Sequence, residues 1–139
     1  MSSEENKAKT RRFMEEVLNK GNMQVVDELI APNFVEHDPF PGQPPGVEGL
    51  KQAMVALRQA FPDLHVTVDE MLSDGDKVVI RSTMKGTHKG TFMNIPATGK
   101  QISVEGIDIV RISNGRVVEH WGVTDNLTMM QQLGLVPAM

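Results

Sequence analysis

Apolar residues recur at helical spacing in the first half of the chain and with the two-residue alternation of strands in the second. Phe13 with Val17 and Met14 with Leu18 pair at i,i+4 before Gly21, which predicts an amphipathic helix over about residues 4–20. Asn22 is placed to cap a second, short helix through Ile30. Ala31-Pro32 ends it, because proline disfavours helix in the residue before it. Leu50, Met54, Leu57 and Phe61 form one stripe of a third helix from about Val47, and Pro62 marks its exit. Between these helices, Asn33–Gly46 reads as a rigid extended loop, dense in proline and glycine from Pro39 onward. Such a loop would hold His37 and Asp38 at the edge of a cavity.

The second half predicts four long strands. His65–Leu72 and Lys77–His88 are joined by the turn sequence Ser73–Asp76, and Gln101–Ile112 and Arg116–Thr124 by Ser113-Asn114-Gly115. The segment Gly90–Gly99 reads as a loop with exposed Phe92, Met93 and Ile95. Asp125 is placed to cap a last helix through Leu133, closed by Gly134. Helices followed by a curved, mainly antiparallel sheet make an α+β arrangement, with the helices over the concave face leaving a cone-shaped cavity. In Ile102–Ile112 both faces are apolar, since Ile102, Val104, Val110 and Ile112 alternate with Ile107 and Ile109. The helices cover only one face, so a homodimer through the outer sheet face is the expected second cover.

Composition narrows the chemistry. Residues 1–139 are read as a single domain with a formal charge of −4 and mixed signs, which argues against nucleic acid or an anionic membrane as partner. The absence of cysteine excludes disulfides, thiolate metal sites and cysteine nucleophiles. A polar N-terminus and the lack of a long apolar run predict a soluble, cytoplasmic protein. Ten methionines suit an adaptable apolar interior, whether a ligand pocket or an ordinary core.

The candidate residues are few. Asp108 lies on the same strand face as Val104 and Val110, where a carboxylate is costly unless paired or protonated. It is the candidate base, with a buried ion pair to Arg81 as the structural alternative. Strand parity puts His120, Gly122 and Thr124 on one face and Glu119, Trp121, Val123 and Asp125 on the other. His120 and His37 are candidate proton donors or hydrogen-bond donors to an oxygen gaining charge. Asp125 is a candidate base that helix capping alone would also explain. Trp121 could wall the cavity or belong to plain core. His88 could line the entrance, although an exposed strand end beside Lys89 is the favoured placement. Arg81, Phe92, Met93, Ile95, Phe34 and Phe40 complete the expected substrate contacts. A two-histidine, one-carboxylate metal set from His37 and His120 lacks supporting spacing, and no metal is expected. No Gly-x-Ser-x-Gly elbow or phosphate-cradling glycine loop is present.

Taken in order, Ala31-Pro-Asn-Phe-Val-Glu-His37-Asp38-Pro, Pro44-Pro-Gly-Val-Glu-Gly, Phe61-Pro-Asp-Leu, Gly86-Thr-His88-Lys-Gly, Ile95-Pro-Ala-Thr-Gly99 and Glu119-His-Trp are similar to the SnoaL-like ester cyclases. These are polyketide cyclase relatives within the nuclear-transport-factor-two-like superfamily. The resemblance covers roughly residues 5–134. It implies a cone-shaped α+β barrel, usually dimeric, that works without a metal or organic cofactor. It also implies acid–base catalysed aldol cyclisation, or a related isomerisation, of a hydrophobic polyketide-like carbonyl compound. A non-catalytic binding domain, or a hydrolase or dehydratase using a carboxylate-positioned water, are the alternatives on this fold. Some relatives carry an aspartate directly after the tryptophan, where this chain has Gly122, which shifts the expected acid–base role to Asp108 and Asp125.

Overall fold

A computed structural model describes residues 2–137. Helix α1 (Ser3–Phe13) starts in a capping box. Ser2 accepts the Glu5 backbone N–H, and the Glu5 side chain reaches back to the Ser2 N–H. It runs on as a π-helical segment over Met14–Asn19, so the single helix expected over this stretch ends in a widened turn. A 3₁₀ turn (Met23–Val25), capped by the Asn22 side chain, leads into the short α2 (Val26–Leu29).

The chain then departs from the sequence expectation. Ile30–Glu36 is not loop but a strand, β1, and the extended segment begins only after it. Pro32 does not preclude this, because β1 is an edge strand. Helix α3 (Gly46–Ala60) follows, then β2 (His65–Asp74), β3 (Lys77–Thr87), β4 (Gln101–Ser113), β5 (Arg116–Thr124) and α4 (Asn126–Gln132).

The architecture is α+β, with one open, curved five-stranded sheet in the order β1-β5-β4-β3-β2. All neighbours are antiparallel except β1, which adds parallel to β5. The sheet therefore has one more strand than the periodicity predicted, and that strand pairs in parallel. Val104, Val110 and Ile112 of β4, Val78 and Ile80 of β3 and Val66 of β2 are buried on the inner face against Val17, Leu50, Leu57 and Phe61 from the helices. On the outer face Leu72, Val79, Ile109 and Trp121 stand in register across four strands, and Ile107 and Val123 form part of the next row. Val123 remains 70% exposed there. Among the described residues no helix is long and apolar enough to cross a membrane.

Candidate active site

The inner face is apolar except at one end, where β1, β4 and β5 bring three polar side chains together. Glu36 and His120 are neighbours in the parallel register of β1 and β5. Asp108 stands across from Gly122 on the antiparallel side. His120 Nδ1 lies 2.6 Å from Glu36 Oε2, and its Nε2 lies 2.8 Å from Asp108 Oδ1. The imidazole is thus held at both nitrogens between two carboxylates.

Burial works against a charge on His120, but the hydrogen bonds and charges of Asp108 and Glu36 outweigh it and push its pKa up to about 9. At neutral pH it is an imidazolium donating from both nitrogens. Glu36 is the more enclosed partner, with a side chain 9% exposed, while Asp108 is 31% exposed and lines the cavity. Among the described residues Asp108 Oδ2 has no hydrogen-bond partner, whereas Oδ1 is held by His120.

The cavity holds ≈ 190 Å³ and lies between α1, α3 and the inner face. Its wall is mainly apolar: Phe13, Met14, Phe34, Phe40, Met54 and Ile80 contribute, among others. The π-helical segment supplies Met14 and Leu18 to this wall. No lysine or arginine lines it among the described residues.

Gly122 is part of the construction. A Cβ there would overlap Asp108 Oδ1 and come within 3.0 Å of His120 Cε1. Its backbone N–H donates to Asp38 Oδ2 at 2.9 Å, which ties the proline-rich loop to the site. The glycine that looked like a missing carboxylate is therefore the space in which the Asp108–His120 pair fits.

His37 belongs to the other side of the sheet. Its Nε2 pairs with Glu119 Oε2 at 2.8 Å, and its ring stacks on Trp121 with centroids 4.7 Å apart. Glu119 also accepts from Arg111 Nε at 2.5 Å, and Lys77 lies over the Trp121 ring. The His37 and Arg111 hydrogen bonds hold the Glu119 carboxyl below its usual range. Parity correctly separated His120 from Trp121. The cavity takes His120, so neither Trp121 nor His37 lines it, and no metal set can join His37 to His120.

Several other expected contacts lie elsewhere. Arg81 is on the outer face paired with Glu70, because Ile80 takes the inward position beside Asp108. Arg81 therefore neither pairs with Asp108 nor meets a cavity ligand. Asp125 is consumed as the α4 cap, accepting from Thr128 N–H and Oγ1–H, which lowers its pKa and leaves it outside the cavity lining. His88 is fully buried rather than an exposed strand end: it stacks under Phe61, and Nδ1 accepts from the Thr98 N–H. Phe92, expected exposed, is buried edge-on against Phe40 and Phe61. Reciprocal backbone bonds between Phe92 and Ile95 close a tight turn with positive φ at Met93 and Asn94. Phe92 thus backs the cavity wall one layer behind Phe40, while Met93 and Ile95 do not reach the cavity. Phe34 and Phe40 do line it.

Glu36, Gln43 and Thr10 were not singled out from sequence, although all three line the cavity. A signal for Glu36 existed. Phe34 and Glu36 alternate with Val35 and His37, a strand pattern hidden by its proline-rich flanks. The chain contains the dipeptide Glu-His twice, at Glu36-His37 and Glu119-His120. Because β1 and β5 pair with a one-residue offset, each glutamate meets the other strand's histidine, one pair inside and one outside.

A curved α+β sheet with a carboxylate–imidazole–carboxylate array at the end of an apolar cavity is the setting of a small-molecule site. The sequence matches the SnoaL-like polyketide cyclase model over residues 8–133, and the chain belongs to that family. Aklanonic acid methyl ester cyclase DnrD of Streptomyces peucetius is 32% identical over 129 residues, covering 88% of this chain and 87% of that one. The corresponding cyclase DauD of Streptomyces sp. (strain C5) is 31% identical over 129 residues, with 88% and 78% covered. Among solved structures, TsrD from Streptomyces laurentii matches with a TM-score of 0.90 at 29% identity, over 98% of this chain and 99% of that chain.

Proposed function

We propose that the protein is a cofactor-independent cyclase that closes a ring in a hydrophobic keto-ester by intramolecular aldol addition, with Asp108 as the base. The observation that carries this reading is the Asp108 carboxylate, open to an apolar cavity at Oδ2 and held at Oδ1 by His120. Asp108 Oδ2 takes the proton from the carbon between the ketone and ester carbonyls. The resulting enolate carbon bonds to a second carbonyl carbon, and the alkoxide so formed takes the proton back from Asp108. Atoms balance as an isomerisation, and no redox partner is needed.

His120 acts as a positioning residue. Both nitrogens are engaged, so it holds the base rather than delivering a proton to the substrate. Hydration chemistry through Asp108 and Arg81 loses its support, since the two side chains lie on opposite faces of the sheet. The two aklanonic acid methyl ester cyclases among the relatives make that ester the first substrate to assay. Wild-type protein should cyclise it, and Asp108→Asn should bind it without turnover; undiminished rates in the variant would remove Asp108 as the base.

The register rows of Leu72, Val79, Ile109 and Trp121, and of Ile107 and Val123, support a homodimer through the outer face. Val123→Asp should then shift the solution mass from dimer to monomer by light scattering. A monomeric wild type would end that reading.

A further inference from the structure

Enolate chemistry in a cavity lined by carboxylates but by no lysine or arginine needs a neutral hydrogen-bond donor for the oxygen that gains charge. The lining offers few. Both His120 nitrogens are bound to carboxylates, the Gly122 N–H is taken by Asp38, and the Thr10 hydroxyl donates to the Asn6 carbonyl. Thr124 stands at the exposed rim with a freely rotating hydroxyl.

Gln43 is different, because the turn carrying it is built twice over. Phe40-Pro41-Gly42-Gln43 is a β-turn closed by the Gln43 N–H donating to the Phe40 carbonyl at 3.0 Å. Pro41 and Gly42, with φ at +80°, stand where a type II turn takes them. The Gln43 side chain then folds back, and its Oε1 accepts the Phe40 N–H at 3.0 Å. A backbone N–H can meet only the oxygen of an amide, so the NH₂ is fixed on the other side of the group. Phe40 is itself held edge-on by Phe92. The loop is tethered at Asp38 and seated on α3, where Gly49 leaves no room for a side chain against the Pro44 carbonyl. Among the described residues Gln43 Nε2 has no partner.

Building on the aldol reading above, we propose that the Gln43 amide donates from Nε2 to the substrate oxygen that becomes the enolate, making it a second catalytic residue in the cavity that Asp108 lines. Pinning Oε1 removes the amide's rotational freedom before substrate arrives, so little reorganisation accompanies charge development. The amide does not transfer a proton; it holds one hydrogen bond that strengthens as the oxygen gains charge.

The test uses binding, which does not depend on turnover. In the Asp108→Asn variant the amide imitates the protonated base, and 4-nitrophenol imitates the enolate. Adding Gln43→Met or Gln43→Glu should weaken 4-nitrophenol by about tenfold to a hundredfold, the loss expected for a hydrogen bond to a charged oxygen. Binding of 4-nitroanisole, which has no ionisable oxygen, should change less than about twofold. Gln43→Glu keeps an acceptor for the Phe40 N–H, so the turn survives even if Gln43→Met disturbs it. Equal losses for both probes, no loss for the phenol, or no binding of the phenol by Asp108→Asn would each overturn the proposal. Selective loss of the phenol in a protein that fails to cyclise any keto-ester would leave the donor standing and remove only the aldol reading.

Discussion

Two histidine–carboxylate clusters sit back to back on β1 and β5, assembled from the same two Glu-His dipeptides. Inside, His120 is clasped by Glu36 and Asp108 beside an apolar cavity that no lysine or arginine lines among the described residues. Outside, His37 pairs with a Glu119 that already accepts from Arg111, and its ring lies flat on Trp121. The outer carboxylate has two donors, one at each oxygen, and does not line the cavity. The inner array has two carboxylates for one imidazolium, and the Oδ2 of the cavity-lining Asp108 is left without a hydrogen bond among the described residues. Equivalent residue types therefore meet different surroundings, which differ in enclosure and in the supply of cations.

The sharpest way to separate the clusters is to remove each carboxylate's charge in turn. Asp108→Asn should lower kcat by about 10²–10⁴-fold, the range for loss of a general base. It should also lower the thermal midpoint, because the Asp108 charge is part of what pairs the His120 imidazolium. Loss of stability with kcat undiminished would mean that the inner array is structural like the outer one.

Next in size is the pH dependence of stability. The folded-state pKa of His120 is raised from 6.5 to about 9, so pairing of the imidazolium stabilises the fold fully below about pH 6.5. That contribution, on the order of 3 kcal/mol, is lost as pH rises through about 9. Thermal midpoints measured from pH 6 to 10 should fall more steeply for wild type than for His120→Gln; parallel profiles would show that the array does not hold the proton.

Gly122→Ala tests packing rather than charge. The added methyl must displace Asp108 or His120, and misplacing a catalytic group by about 1 Å costs about 10²-fold in rate. Retained activity would show that the pair tolerates the shift. The smallest effect belongs to the outer cluster. Glu119→Gln should leave kcat within about twofold and shift the thermal midpoint little, as for a solvent-screened ion pair. A large fall in kcat would break the division between the two faces.

Much of the scaffold was legible in the pattern of residues. The stripe Leu50, Met54, Leu57 and Phe61, the turns at Gly75 and Gly115 and the cap at Asp125 are local features, and local propensity and patterning decide them. Asp108 was legible as well, since a carboxylate among alternating valines and isoleucines is an anomaly wherever the strand ends up. The strand β1 was not. Its proline-rich surroundings favour loop, and only parallel pairing with β5, some eighty residues away, satisfies its backbone groups. With that strand unseen, Glu36 had no face and His120 had no second partner.

The amino-acid sequence by itself determined the α+β class, the antiparallel hairpins, the parity that divides His120 from Trp121 and the carboxylate on the inner strand. Only the tertiary structure decided which face is the cavity, that Glu36 and Asp108 share one imidazole, and that Gly122 makes room for them. The reason is range. Periodicity and capping depend on neighbours within a few residues, whereas the site depends on a one-residue offset between two strands far apart in sequence. An in-register pairing of the two dipeptides would set glutamate against glutamate; the offset sets Glu36 against His120 and Glu119 against Val35, from where it reaches His37 diagonally.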